Sequence, residues 1–147
     1  MNEEKPIGVE IRHTDNLIKA YIDQTLSSQL EERLTGIEGM TLGFIFHHQG
    51  VEIVAKDVMA HSKVSKATTS QTLAGLVKKG YIRMIPSKED KRKKVITLTD
   101  KGEKVEMEFK TIFGAISAQV KKGISPEEDK TVREVLAKIR ANVEEEK

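Results

Sequence analysis

The chain has no cysteine and no tryptophan among its 147 residues, and only two tyrosines and four phenylalanines. The absence of cysteine excludes disulfides and thiol-based redox sensing, and it removes the commonest ligand of structural zinc sites. So few aromatic rings leave little surface on which unpaired bases could stack. If nucleic acid is the partner, we therefore expect a duplex rather than a single strand.

Long apolar runs are also absent from the sequence. No stretch approaches the roughly 20 apolar residues that span a bilayer, and the N-terminal segment MNEEKPIGVEIRH lacks the apolar centre of a signal peptide. These two absences predict a cytoplasmic protein without a membrane partner. The hydrophobic and charged fractions, 37% and 33%, are ordinary for a globular protein. A chain of 147 residues can form one domain with a hydrophobic core, or a small domain with an oligomerisation arm.

Signals for catalysis are weak. The serines lie in helix-cap or turn contexts, and no phosphate-binding loop or His–acid pairing is present. The four histidines are scattered and form no H-x-x-x-H pair, so they give little support to a metal site. We expect neither an enzyme nor a cofactor, and a metal-responsive protein is kept as an alternative.

Positive charge is concentrated in one part of the chain. From Lys78 to Lys104 there are ten Lys or Arg and four Asp or Glu, although the net charge of the whole chain is only +2. Residues 1–38 and 126–147 carry more acids than bases. This distribution is typical of a protein that lays one face on a polyanion. The alternative is a solvated lysine-rich loop, and the helix that precedes this segment makes that alternative weaker.

Apolar residues recur at helical spacing in several stretches. The predicted helices run from about Thr14 to Leu34, from Thr41 to Gly50, from Ile53 to Met59, from Ser65 to Lys79, from Thr99 or Asp100 for about 20 residues, and from Ser125 onward. Gly36 and Gly39 are expected to end the first helix. A strand from Tyr81 to Ile85, stopped by Pro86, precedes a basic tip and a second strand.

This order predicts a mostly α fold of the α+β winged-helix type. The third and fourth helices, joined by a short turn, form a helix-turn-helix, and the two strands form a wing. Residues 40–100 are expected to be the DNA-binding lobe. The long helices in residues 9–36 and 101–147 carry apolar stripes that so small a lobe cannot cover, and a second copy of the chain is the simplest partner for them.

Residues 90–102, DKRKKVITLTDKG, resemble the D-x-R-x-x-x-V-x-L-T-x-x-G wing signature of the MarR family of bacterial winged-helix regulators, with Ile96 at the valine position. The preceding helix end, K-K-G-Y-I, strengthens the resemblance. It implies a homodimer that binds a pseudo-palindromic operator in double-stranded DNA, and we expect a repressor. A winged helix used only for protein contacts is kept as an alternative.

The resemblance also implies which residues contact DNA. The first turns of the fourth helix would face the base edges, and Gln71 has the donor and acceptor that pair with adenine. In the wing, Asp90 would orient Arg92 for insertion into the minor groove, unless Asp90 is a plain turn residue. The other basic residues of this segment are expected to contact phosphates. The recognition-helix candidates are Ser65, Lys66, Thr68, Thr69, Gln71 and Thr72, and the wing candidates are Arg83, Lys88, Asp90, Lys91, Arg92, Lys93 and Lys94.

Many members of the family release DNA when a small aromatic anion enters a cleft beside the lobe. By that resemblance, the residues that would line such a cleft here are Arg12, His13, Tyr21, His47 and His48. Gly75 lies inside the fourth helix, where glycine costs up to about 1 kcal/mol relative to alanine. The sequence leaves open whether Gly75 permits a close helix contact or a bend.

Overall fold

The computed structural model describes residues 4–145, which contain six helices and one two-stranded antiparallel sheet. The helices are α1 (Ile7–Gln29), α2 (Gly36–His47), α3 (Ala55–Ser62), α4 (Lys66–Lys78), α5 (Asp100–Val120) and α6 (Pro126–Glu145), and the strands are β1 (Ile82–Pro86) and β2 (Lys94–Leu98). A helix-turn-helix is thus followed by a β wing and accompanied by three long helices. This order confirms the predicted winged-helix fold class.

The structure forms two compact units, one up to Ile116 and the other from Ser117 onward. A single apolar core fills the first unit, with contributions from α1 to α5 and from both strands. Its most deeply buried members include Leu42, Ile45, Val58, Leu76, Tyr81, Ile82 and Ile96. In the second unit none of the α6 residues is buried, and its valines are exposed. α6 therefore carries an apolar stripe that its own unit leaves uncovered.

The first helix differs from its prediction at both ends. It begins at Ile7, because the carbonyl of Pro6 accepts the first helical N–H groups, and it ends at Gln29, after which Leu30 has an extended backbone. Leu30 and Leu34 are nevertheless buried. The spacing of four residues therefore predicted correctly that Leu30 and Leu34 are buried. It was wrong about their secondary structure, because both lie in the loop that follows α1.

α2 begins at a capping box that the prediction missed. Thr35 accepts the N–H of Glu38 at 3.1 Å, and the Glu38 carboxylate accepts the N–H of Thr35 at 3.0 Å. Gly36 and Gly39 thus lie inside the first turns of α2 instead of ending α1, and Thr41 lies within the helix rather than at its cap. Gly39 is required where it stands because a Cβ there would overlap the Phe109 ring.

The region around the wing shows two further corrections. α3 begins at Ala55, because Val54 is extended and the carbonyl of Ile53 accepts the N–H of Ile96 in β2 at 2.8 Å. β1 includes Pro86, which pairs with Lys94. The next ladder bond, from Ser87 N–H to the Lys93 carbonyl, is still made at 2.8 Å. Pro86 therefore occupies a position where its missing N–H removes no ladder bond.

The caps of the remaining helices follow the sequence closely. Ser125 and Glu128 form the expected reciprocal capping box at the start of α6, with bonds of 3.0 and 3.1 Å. Thr99 caps α5 by accepting the N–H of Gly102 at 3.0 Å, so the predicted partner Glu103 lies one residue too far along. None of the described helices combines the length and the apolar character that crossing a bilayer requires.

Candidate nucleic-acid interface

The turn of the helix-turn-helix sets the start of α4. Lys63 adopts a left-handed backbone conformation with φ 54° and ends α3. Ser65 then caps α4, and its hydroxyl accepts the N–H of Thr68 at 3.0 Å. The predicted start of the fourth helix is therefore confirmed, and the first turn of α4 leads with the polar residues Ser65, Lys66 and Thr68.

The exposed face of α4 carries only part of the predicted recognition set. Lys66 and Gln71 are exposed, and Thr68 is half-buried. Thr69 and Thr72 are only 4% and 8% exposed. Their hydroxyls donate to backbone carbonyls one turn earlier, at 3.0 and 2.8 Å. These two threonines therefore face the core, because they lie on the same side of the helix as its buried leucines.

Ser70 is a residue that the sequence reasoning missed. It is exposed on α4 and lies beside Lys66 in a small groove between α3 and α4. Helical spacing gave the signal, since residues 66 and 70 are one turn apart and share a face. Ser70 thus completes the polar surface that α4 presents to solvent.

The last turn of α4 is held by a buried carboxylate. Glu38, which also takes part in the capping box of α2, accepts two hydrogen bonds from the Lys79 ammonium at 2.8 and 3.1 Å. A Cβ on Gly75 would lie 3.1 Å from a Glu38 oxygen. Gly75 therefore permits the close approach of α2 to α4, which answers the question that the sequence left open. This ion pair joins the start of α2 to the end of α4.

The wing tip holds an arginine in a fixed orientation. The Asp90 carboxylate accepts hydrogen bonds from Arg92 Nε at 3.2 Å, from Nη2 at 3.4 Å and from the Arg92 backbone N–H at 3.1 Å. These bonds lower the pKa of Asp90 below its ordinary value of 3.8. The Arg92 side chain is 92% exposed. A guanidinium is thus oriented at the tip while it remains free to contact a partner. The other exposed basic residues of the wing are Arg83, Lys88, Lys91, Lys93 and Lys94.

Ser87 supports this tip from below, and the sequence gave no sign of its role. Ser87 is 3% exposed, and its hydroxyl donates to the Glu52 carboxylate at 3.0 Å. The same oxygen accepts the N–H groups of Glu89 and Asp90 at 3.2 and 3.4 Å. Glu52 precedes α3, so the tip is tied to the helix-turn-helix.

The predicted ligand cleft is only partly assembled. His47 and His48 line a cavity of about 480 Å³ between α2 and α5, together with Phe44, Glu106 and Lys110; we call it the α2–α5 cavity. A neighbouring cavity of about 460 Å³ is lined by residues of α1 and α2 and by the end of α3. Arg12, His13 and Tyr21 line neither of these two cavities and are exposed on α1. Glu106 also lines the α2–α5 cavity, but the sequence did not indicate this. A charged helix residue beside an apolar stripe is ordinarily exposed to solvent.

Metal binding receives no support from the side-chain geometry. Within residues 4–145, no three His, Asp or Glu side chains converge closely enough to hold a metal ion. The histidines near the α2–α5 cavity interact with aromatic rings instead: Phe44 stacks on His61, with ring centroids 4.3 Å apart, and lies 4.4 Å from His48.

Comparisons with known proteins agree with this geometry. A family model described as MarR family matches residues 34–93. The HTH-type transcriptional regulator BilQ of Clostridioides difficile (strain CD3) is 32% identical over 111 residues, which is 74% of this chain and 75% of BilQ. The S. aureus MepR–DNA complex is similar in structure, with a TM-score of 0.85 and 26% identity over 95% of this chain and 99% of that chain. The heme sensor PefR from Streptococcus agalactiae, in complex with heme, has a TM-score of 0.71 and 26% identity, over 95% of each chain.

The matched segment runs from the loop before α2 to the wing tip, and it contains both the helix-turn-helix and the Asp90–Arg92 pair. The structural likeness extends over nearly the whole chain, including the long helices. The chain therefore belongs to the MarR family and is a winged helix-turn-helix protein that binds DNA and regulates transcription.

Proposed function

We propose that this protein is a homodimeric repressor that binds a pseudo-palindromic operator in double-stranded DNA and is released from it by a small molecule. The observation that carries the proposal is the orientation of Arg92 by Asp90 at an exposed, basic wing tip. A guanidinium held in this way suits the narrow, negatively charged minor groove. The lysines around it would contact phosphates, which adds affinity without reading sequence.

In this proposal α4 lies in the major groove. Its exposed polar face supplies the base contacts, and Gln71 has the paired donor and acceptor that match adenine. Thr69 and Thr72 would help to pack α4 on the core and would not touch DNA, since both are buried and their hydroxyls are bonded to backbone carbonyls. The residues proposed to face base edges are Ser65, Lys66, Thr68, Ser70 and Gln71.

A second copy of the chain is the partner that the exposed apolar residues favour. On α6 the exposed or half-buried apolar residues recur at helical spacing and form one stripe: Val132, Val135, Leu136, Ile139 and Val143. Exposed stripes of this length mark contact with another chain. A two-fold dimer through α1, α5 and α6 would place two recognition helices on successive major grooves, about 34 Å apart.

The test begins with selection of bound duplexes from fragmented genomic DNA, which yields the operator and its neighbouring genes together. Recovered sites should have two-fold symmetry, and sedimentation should show dimers at micromolar concentration. The affinity for the recovered duplex should fall by about 10³ to 10⁵ between 50 and 200 mM salt if 6 to 10 phosphates are contacted. Monomers in solution, asymmetric sites, or no saturable duplex binding at low salt would each contradict the proposal. A reporter gene placed behind the operator should be more active when the protein is absent, and lower activity would make the protein an activator.

A further inference from the structure

The two edges of the wing sheet differ. On the outer side of β2, the Ile96 N–H donates to the carbonyl of Ile53 at 2.8 Å, so the chain itself closes that edge. On the outer side of β1, no further strand pairs with the sheet among residues 4–145. The wing therefore has one open edge, and β1 forms it.

The register identifies the backbone groups that point outward from β1. Just beyond the strand, the Ser87 N–H donates to the carbonyl of Lys93 at 2.8 Å. Because bonding alternates along an antiparallel ladder, the odd-numbered residues of β1 pair with β2. Ile82 and Met84 therefore direct their N–H and C=O groups toward the open edge, whereas Pro86 offers only a carbonyl. An edge of this kind can accept an extended peptide as an added strand.

Exposed apolar side chains flank the open edge. A groove of about 720 Å³ is lined by β1, by the last turn of α4 and by the residues at the start of α5; we call it the β1 groove. Val77 of α4 is 43% exposed and Ile85 of β1 is 50% exposed, and both line this groove. A strand added to β1 would remove this apolar surface from water, which favours binding.

The charge of the groove favours an acidic partner. Arg83 is exposed, lines the groove and makes no ion pair within residues 4–145. Asp100 and Lys101 also line the groove and have opposite signs, so Arg83 leaves it with an excess of positive charge. The whole segment from Lys78 to Lys104 has ten bases and four acids. Repulsion between two such segments disfavours the pairing of two copies through β1.

The β1 groove is separate from the surface proposed to contact DNA. Arg83 lies three residues before Pro86, where β1 ends. Since a strand rises about 3.3 Å per residue, Arg83 is about 10 Å from that end, and the loop that carries Arg92 lies beyond it. A partner in the β1 groove would therefore leave the wing tip free.

We propose that the β1 groove binds an extended acidic segment of another protein, which adds to the wing as a third strand. The backbone of this segment would pair with Ile82 and Met84. Its apolar side chains would cover Val77 and Ile85, and one of its carboxylates would pair with Arg83. Binding itself requires neither DNA nor repression. Only the claim that the partner binds the protein on its operator rests on the proposed function.

Two capped peptides of eight residues are matched probes, one alternating valine with glutamate and the other valine with lysine. Binding is measured by calorimetry on the purified protein without DNA, so a failure of the proposed function would not affect the result. The acidic peptide should bind with a dissociation constant on the order of 1 mM, and the basic peptide at least about tenfold more weakly. Absence of binding by the acidic peptide, or equal binding of the two, would overturn the proposal.

Arg83→Glu reverses the charge of the groove and should reverse the preference between the two peptides. Lys104→Glu makes the same change at an exposed position of α5 outside the groove and should leave the preference unaltered. A folded Arg83→Glu variant that keeps the wild-type preference would contradict the proposal. So would an Arg83→Ala variant with a lower slope of operator affinity against salt, because Arg83 would then contact a phosphate.

Backbone pairing has its own readout, in amide hydrogen exchange measured by nuclear magnetic resonance. With the acidic peptide at ten times its dissociation constant, the N–H groups of Ile82 and Met84 should exchange about tenfold more slowly. Those of Arg83 and Ile85, which already pair with β2, should change less. The same peptide with methylated backbone amides should bind at least about tenfold more weakly. Unchanged exchange at Ile82 and Met84 would place the peptide elsewhere and refute strand addition.

A second copy of the chain is the competing occupant of the groove. Sedimentation of the protein alone should show no assembly larger than the dimer. Tetramers that dissociate in Ile85→Ser would show that another copy fills the groove, and the proposal would be wrong. Anisotropy of a labelled operator duplex tests the remaining claim: the acidic peptide should leave operator affinity unchanged. If the peptide binds through Arg83 and operator affinity falls, the site stands and simultaneous binding is refuted.

Discussion

The Ser87 hydroxyl lies 3.0 Å from the Glu52 carboxylate and, through the same oxygen, accepts the backbone N–H groups of Glu89 and Asp90. Ser87 therefore links the residue that precedes α3 to the loop that carries Arg92. It is too deeply buried to touch DNA, and its effect on binding would be exerted through the position of the tip.

Ser87→Ala should weaken operator binding by about fivefold, since hydrogen bonds of this kind are each worth about 1 kcal/mol. The slope of affinity against salt concentration should not change, because no phosphate contact is lost. Lys93→Ala is the matched control: it should weaken binding and lower that slope by about one unit. Both are measured by anisotropy over a salt series. A lower slope for Ser87→Ala would mean that the tip lysines depend on Ser87.

Asp90→Asn should weaken operator binding nearly as much as Arg92→Ala, because the carboxylate that orients the guanidinium is lost. The double variant should be little worse than either single one, since the two residues act as a unit. Glu89→Gln, one residue away and exposed, is the control for loss of negative charge. If Asp90→Asn binds like the wild type, Asp90 is only a turn residue.

The Asp90–Arg92 pair also determines how operator affinity should depend on pH. Arg92 lowers the pKa of Asp90 below 3.8, so the pairing is complete above the ordinary pKa and is lost only as pH falls through the lowered value. Operator affinity in the wild type should therefore show no titration of Asp90 between about pH 5 and pH 8. The ratio of wild-type to Asp90→Asn affinity should be constant over this range. A ratio that falls on acidification within it would refute the lowered pKa.

Tyr81→Phe should destabilise the first unit by about 1 kcal/mol, since the buried hydroxyl donates to Glu32 at 2.9 Å. Burial, together with the bond to Glu32, raises the pKa of Tyr81 above its ordinary value of 10.0. A raised pKa gives stability that is complete below pH 10 and is lost as pH rises further. Between pH 8 and pH 11 the melting temperature should thus fall more steeply in the wild type than in Tyr81→Phe. The exposed Tyr21→Phe should behave like the wild type.

Gly39→Ala should lower stability by about 1–3 kcal/mol, because the new methyl group overlaps the Phe109 ring and the core must shift to admit it. Gly114→Ala in α5, where a Cβ meets nothing within 4 Å, is the control and should be neutral or stabilising. Denaturant unfolding measures both. Equal stability of the two variants would show that α2 and α5 separate easily at this point.

Local patterns in the sequence predicted the parts of the fold that local chemistry determines. Ser125 and Glu128 are three residues apart and form their capping box without help from the rest of the chain, and Asp90 and Arg92 are two apart. Thr35 and Glu38 have the same spacing and form the same kind of capping box. The sequence nevertheless favours a different interpretation there, because Gly36 and Gly39 resemble the end of the first helix. The close packing of Gly39 on Phe109 explains that error, because the glycine serves a contact between helices rather than a turn.

Features that depend on distant contacts were not predictable. Thr69 and Thr72 have the chemistry of base contacts, and only the rotation of α4 on the core assigns them to its inner face. Ser87 and Glu52 are separated by 35 residues, so neither suggests the other in the sequence. Glu106 is one residue from the apolar stripe of α5, and its burial follows from how α2 packs there.

The bond from Ile96 to Ile53 joins the second wing strand to the residue just before α3, and α3 in turn packs on α4. In the proposed complex, α4 in the major groove and Arg92 in the minor groove would consequently be held at a constant distance from each other. A base pair inserted between the sites contacted by α4 and by Arg92 within one half-site should therefore abolish recognition. The spacing between the two half-sites would depend instead on the dimer formed through α1, α5 and α6.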